Sequence, residues 1–232
     1  MKSKRMATIV LAAAALLLVA AGIGRDLTEE DWEKLRQKEI VKQVVKEEGS
    51  QSASWSAKIV HYPPELMWKV ITSLELYDEH MERTTVSVLL DEKTKDKVVE
   101  SGQEDADEVE ELFEGMESGY VKKRDDGTWT VYSYQRNEFP WPVSDRWVLL
   151  EITHDDDMMH QSWKRLAGNI MEDYGYWKLS PHEKDSTLAI NEIHIDLDIP
   201  ATGPFTAFAM EVTLPDTYTG FEKMAKAMKD DK

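Results

Sequence analysis

Cysteine is absent from the 232-residue chain, which excludes a disulfide framework, a thiolate–zinc site, an iron–sulfur cluster, a cysteine nucleophile and a lipid-modified cysteine. Positive charge is scarce: 28 Lys and Arg face 45 Asp and Glu, a net charge of −17. Phosphate binding needs clustered Lys and Arg, so no nucleic-acid partner is expected. Gly-rich phosphate loops and a Gly-x-Ser-x-Gly elbow are missing too, which removes the common nucleotide enzymes and the α/β hydrolases. The six histidines include no i, i+4 pair and fit no metal motif, so neither metal nor cofactor is expected. The acidic clusters at 104–108, 110–111 and 155–157 lack the ligand spacing of a calcium loop and read as solvated faces. No internal repeat is visible.

Against that acidity stands one long uncharged stretch. Met6 to Ile23 carries no charge and follows directly on Lys2, Lys4 and Arg5. A basic start, an apolar run and small residues at its end have the form of an export signal over residues 1–24, with cleavage after Ala21 or Gly22. The run also reaches the roughly 18 residues that span a bilayer, so an uncleaved anchor through 6–23 is the alternative. Either way the remainder lies outside the cytoplasm, periplasmic or secreted. Losing the three positives takes the net charge from −17 to −20. A body so charged repels anionic lipid surfaces.

Residues 26–48 read as a helix, with Thr28 as N-cap and Leu27, Trp32, Leu35, Ile40, Val41, Val44 and Val45 at helical spacing. A polar linker at 49–54 ends it, so residues 25–52 form an amphipathic helix with its linker. From residue 53 to 232 a second pattern runs. Trp55 to His61 alternates as a strand, Pro63 and Pro64 open a helix that runs on loosely to Met81, and Thr84 to Asp91 is a second strand. A short acidic helix follows over Asp105 to Met116. Hairpin strands at 120–124 and 129–136 come next, turning at Asp126-Gly127, followed by strands at 145–154, 159–166, 174–180 and 187–199. Short connections make them antiparallel. The chain closes in helix over 205–212 and 216–228, with a break or kink at Pro215.

This order resembles the helix-grip superfamily: the START-related lipid-transfer domains and their relatives among polyketide cyclases and the birch-pollen allergen. The local likeness lies in Pro64-Glu-Leu-Met-Trp-Lys-Val-Ile-Thr after the first strand and in Phe139-Pro-Trp-Pro-Val-Ser-Asp-Arg-Trp-Val-Leu-Leu. It continues in Gly175-Tyr-Trp-Lys-Leu-Ser-Pro. The resemblance spans about residues 53–230 and implies an α+β fold, a curved antiparallel β-sheet wrapped around a long C-terminal helix. It also implies a cavity between the two and, as partner, a lipid or other hydrophobic small molecule.

Within that frame Ala189, Asn191, Ile193, Ile195, Leu197 and Ile199 form the concave face of their strand, and Asn191 is a buried polar group in need of a partner. His194, on the other face, reads as a solvated histidine. Phe208, Met210 and Met224 supply an adaptable helical wall. Trp163 and Trp177 are cavity walls if they point inward. Arg146, beside Asp145 after the Pro140/Pro142 bend, either grips a ligand headgroup or locks a corner. Tyr134 and Arg136 share a face and, pointed inward, could polarise a carbonyl. A binding protein is the leading expectation, with a cyclase/aromatase-type enzyme using Tyr134, Arg136 or Arg146 as one alternative. An envelope scaffold whose interior is filled by Trp and Met is the other.

Overall fold

A computed structural model describes residues 24–46, 51–116, 122–123, 127–139, 144–197 and 203–230. The candidate signal or anchor at 6–23 lies outside the described residues, as do the side chains of Phe205 and Phe208. No helix of the described residues is long and apolar enough to cross a membrane.

The strands are β1 (Val41–Lys46), β2 (Gln51–Val60), β3 (Thr84–Leu90), β4 (Lys122–Lys123), β5 (Thr128–Asn137), β6 (Arg146–Asp155), β7 (His160–Gly168), β8 (Glu172–His182) and β9 (Ser186–Asp196). They form one antiparallel sheet in the order β1-β2-β9-β8-β7-β6-β5-β3, with β4 pairing β5 beyond the end of β3. The consecutive run β5 to β9 is a meander, and β2 reaches β9 across the sheet, so the chain's first long strand and its last are neighbours. The helices are α1 (Glu29–Arg36), α2 (Pro64–Thr72), α3 (Tyr77–His80), α4 (Glu92–Ser101), α5 (Ala106–Glu110) and the 28-residue α6 (Gly203–Asp230). The α+β helix-grip architecture is thus the observed one.

The helix expected over 26–48 is corrected. Thr28 and Asp31 do form a reciprocal capping box, with Thr28 N donating to Asp31 Oδ2 at 2.8 Å. The helix nevertheless ends at Arg36, and Lys38, at φ 65, turns the chain into β1. Ile40, Val41, Val44 and Val45 fit a helical stripe by spacing alone, but their β-branched side chains suit a strand, and an open edge on β2 was available to take them. Of the polar segment expected as linker, residues 51–54 are strand, while 49 and 50 lie outside the described residues; residues 52–57 of β2 are buried without interruption. Both faces of β2 are covered, and strands covered on both faces lose the alternation by which a strand is read. On one side Trp55, Ala57 and Ile59 pack with Leu35 of α1. On the other, Ser56 Oγ lies 3.1 Å from the Tyr218 hydroxyl of α6.

Pro215 does not break α6. A proline lacks the N–H that would bond the carbonyl four residues earlier. Here that carbonyl, on Glu211, accepts instead from Lys42 Nζ of β1 at 3.2 Å. The helix α4 was not anticipated: of its ten residues only Thr94 and Val98 are buried, so its periodicity is faint. Its punctuation is plain, however, with the Asp91 side chain accepting from Thr94 N at 2.6 Å and Gly102 left-handed at its end.

Candidate functional site

Strand parity divides every inward residue from its neighbours. On β9 the concave face carries Asn191, Ile193 and Ile195, and cross-strand register sets these in rows. Ser54 of β2, Ile193, Gly175 of β8 and Trp163 of β7 form one row; Ser56, Asn191, Trp177 and Gln161 form the next. Ser52, Ile195 and Asp173 form a third. Over these rows lie α6 and the segment from α2 to α3, and between the layers is a cavity of about 230 Å³. Its walls are mostly aliphatic and aromatic: Leu150, Ile152, Ile193, Ile195, Leu197 and Met210 among others, with Trp163 and Trp177. Its rim is charged, formed by exposed Glu82 and Glu138 and by the half-buried pair Arg83 and Asp216, whose Nε and Oδ2 are 3.0 Å apart.

Among the polar groups of this wall, Asn191, Ser54 and Asp173 lie on the inward faces of β9, β2 and β8. Asn191 Nδ2 donates to the Tyr176 carbonyl at 3.1 Å, which supplies the partner its burial demands. Ser54 Oγ is buried with no hydrogen-bond partner. Asp173, 8% exposed, accepts from Trp163 Nε1 at 2.7 Å. Burial pushes the Asp173 carboxyl up to about 6, against the opposing pulls of the Trp163 hydrogen bond and the Arg165 charge. Gly175 makes this arrangement possible, because a Cβ there would stand 2.7 Å from Cζ2 of the Trp163 ring. With no side chain there, the indole closes on the strand and its N–H reaches the carboxylate.

Of the residues singled out from sequence, Trp163, Trp177, Asn191, Ile193 and Ile195 line the cavity. Met224 is buried in the packed cluster with Met67, Tyr218 and Phe221 and does not line it. Tyr134 and Arg136 are on the opposite face of the sheet, a correction to their proposed inward placement. Tyr134 packs with Phe113 and Trp147, and its hydroxyl donates to Glu110 Oε1 at 2.9 Å; Arg136 Nη1 is 2.7 Å from Asp107. The helix α5 covers that face and supplies both acids, so Tyr134 and Arg136 share one face, as their alternation predicts, and that face is the outer one. Arg146 is outside the cavity lining. It donates to the carbonyls of Ser144 and Asp145, at 3.3 Å and 3.2 Å, while Asp145 faces Arg136 at 3.7 Å.

His194 is not solvated. It is 4% exposed, stacked on Tyr174 at 4.6 Å, with Nε2 3.0 Å from Glu192 Oε1. The convex face there is covered: Gly24 lies beside Glu192 and Tyr176. Asp173 and Ser54 fall outside the strands that the sequence pattern delimits, which begin at Tyr174 and Trp55, whereas β8 begins at Glu172 and β2 at Gln51. Extending each alternation by one or two residues places both on the inward face. No group of three His, Asp or Glu among the described residues is placed to hold a metal ion.

No family model and no curated protein matches the sequence. Solved structures match its fold. A START superfamily protein from Mycobacterium smegmatis matches 82% of this chain and 98% of its own, with a TM-score of 0.51 and 11% identity. A STAR-related lipid transfer protein from Xanthomonas axonopodis matches over 81% and 93%, with a TM-score of 0.52 and 17% identity. A Thermus thermophilus protein matches over 75% and 97%, with a TM-score of 0.53 and 15% identity. The chain therefore has the START-like helix-grip fold.

Proposed function

We propose that the chain is an exported binding protein that holds a lipid or other hydrophobic small molecule between the sheet and α6. The observation that carries this is the cavity of about 230 Å³, walled by Ile, Leu, Met and Trp and rimmed by charge. Concave, mostly apolar sites with few placed polar groups are the ordinary form of small-molecule pockets. A filled interior, as a scaffold would have, does not match it. Tyr134 and Arg136, which a carbonyl-polarising enzyme would need inside, face away. The lipid-transfer description of the Xanthomonas relative points the same way.

The volume lies just under the roughly 300 Å³ at which pockets for drug-sized ligands begin. A single-chain or one-ring ligand suits this volume, and a bulkier one requires the first half of α6 to move. Export is supported by the uncharged run at 6–23 behind Lys2, Lys4 and Arg5, which, uncleaved, would anchor the domain outside the cytoplasm. Protein purified under native conditions should yield, on organic extraction and mass spectrometry, a hydrophobic molecule at near-stoichiometric level. No co-purifying ligand together with no binding across a lipid panel would overturn the proposal.

A further inference from the structure

Resting on the reading of the hollow as a ligand cavity, we infer that Asp173 is its polar anchor and selects apolar ligands ending in a hydrogen-bond donor, a hydroxyl or an amine. Asp173 occupies the inward side of β8, level with Ile195 and Ser52, and lines the cavity. An ionised carboxylate accepts at about four lone-pair positions and donates at none. The described residues give it one side-chain hydrogen bond, from Trp163 Nε1 to Oδ1, which leaves Oδ2 as the open acceptor. Trp163 is fixed by its seat on Gly175, so it orients the carboxylate rather than competing for the second oxygen.

A buried carboxylate so sparsely satisfied is costly, and its position in an apolar wall is explained by a ligand that completes it. Ser54 Oγ is a second unmet polar group of the same wall, in the adjoining row.

The charges around Asp173 leave it available. Arg165 of β7 donates from Nη2 to the Gly168 carbonyl at 2.7 Å, its buried Nε has no hydrogen-bond partner, and its charge reaches Asp173 without a hydrogen bond to it among the described residues. Arg83 on the rim is engaged by Asp216 of α6. Glu82 and Glu138 are exposed on the rim, and Lys58 of β2 is taken by Glu222 of α6 at 2.8 Å. From β9 the inward side chains between 187 and 197 are uncharged. A ligand carboxylate entering here meets the like charge of Asp173, which the Arg165 charge offsets only in part, so acids are disfavoured against donors of the same chain length.

Four amphiphiles sharing one chain test this by calorimetric titration into the wild-type protein: decanol, decylamine, decanoate and decyl methyl ether. The expected result is that decanol or decylamine, or both, bind at least roughly tenfold tighter than the ether and decanoate. Whichever of the two is tighter names the headgroup. Asp173→Asn should reduce an amine advantage to less than roughly threefold. Should that variant fold poorly, the wild-type decylamine affinity measured from pH 7.5 down to pH 5 carries the same information, falling as the carboxylate protonates while decanol changes little. Equal binding of all four, decanoate binding tightest, or unchanged discrimination in Asp173→Asn would overturn the anchor while leaving the cavity reading intact. Failure of all four to bind would remove both.

Discussion

The two halves of the space beneath α6 are built from the same kinds of residue and end up different. Towards the C-terminus, Tyr218, Phe221, Met224 and Ala225 interlock with Met67, Val70 and Ile71 of α2 and with Trp177 of β8, all buried. Phe221 and Tyr218 both meet the Trp177 ring edge-on, at 5.2 Å and 5.5 Å. Towards the N-terminus, Met210 and Leu214 line an open space together with Ile193, Ile195 and Leu197. Helix α2 fills the first gap, whereas over the second the short segment of Leu74, Tyr77 and Met81 lines the hollow without filling it. The lesson is that apolar composition does not separate a core from a cavity. What separates them is whether the third layer reaches far enough into the gap to fill it.

Breaking the filled half should have the largest effect. Phe221→Ala removes a ring that is 2% exposed and should cost about 3–5 kcal/mol in urea unfolding. Next in size is the buried acid of the hollow half. Asp173 binds its proton more tightly folded than unfolded, with a carboxyl raised from 3.8 to about 6, so it favours folding below pH 4 and that contribution is lost as pH rises through 6. Above pH 6, Asp173→Asn should therefore raise stability by about 2–3 kcal/mol. His154, held down at about 4 by burial, acts oppositely: its contribution is present above pH 6.5 and is lost as pH falls towards 4. The wild-type profile between pH 4 and 6 should be nearly flat, and Asp173→Asn should make it climb with pH.

Overpacking sharpens the contrast further. Ala225→Leu in the filled half should cost about 1–3 kcal/mol. Ile195→Phe in the hollow half should cost less than about 1 kcal/mol, since space awaits it, yet weaken ligand binding at least about tenfold. The smallest effect is expected at the junction of the halves. Lys42→Met removes the donor that satisfies the Glu211 carbonyl left open by Pro215; about 0.5–1 kcal/mol should be lost, with faster amide exchange confined to the first half of α6.

How much of this the sequence discloses depends on how many neighbours a residue has. The meander from β5 to β9 was legible because its turns are marked and one face alternates cleanly, as in Ile193, His194, Ile195 and Asp196. The start of the chain was not: Ile40 to Val45 satisfies helical and extended patterns alike, and only the edge of β2 decides between them. Half of the site was legible for the same reason. Trp163, Trp177, Asn191, Ile193 and Ile195 follow from parity on strands whose inward face was evident. Tyr134 and Arg136 were misplaced because their strand is amphipathic on both sides and the covering helices α4 and α5, being acidic and mostly exposed, give no sign in the sequence of which face they cover. Asp173 escaped notice because an acid at a strand start reads as a turn residue, and its burial depends on Gly175 and Trp163 together.

The most direct test of the hollow half as the binding site is methyl NMR during titration with decanol or decylamine. Met210, Ile193 and Ile195 line the cavity, whereas Met67, Ile71 and Met224 lie in the filled cluster. The account predicts saturable shifts at the first three and little change at the others. Shifts at Met67 and Met224 with none at Ile193, Ile195 and Met210 would contradict it.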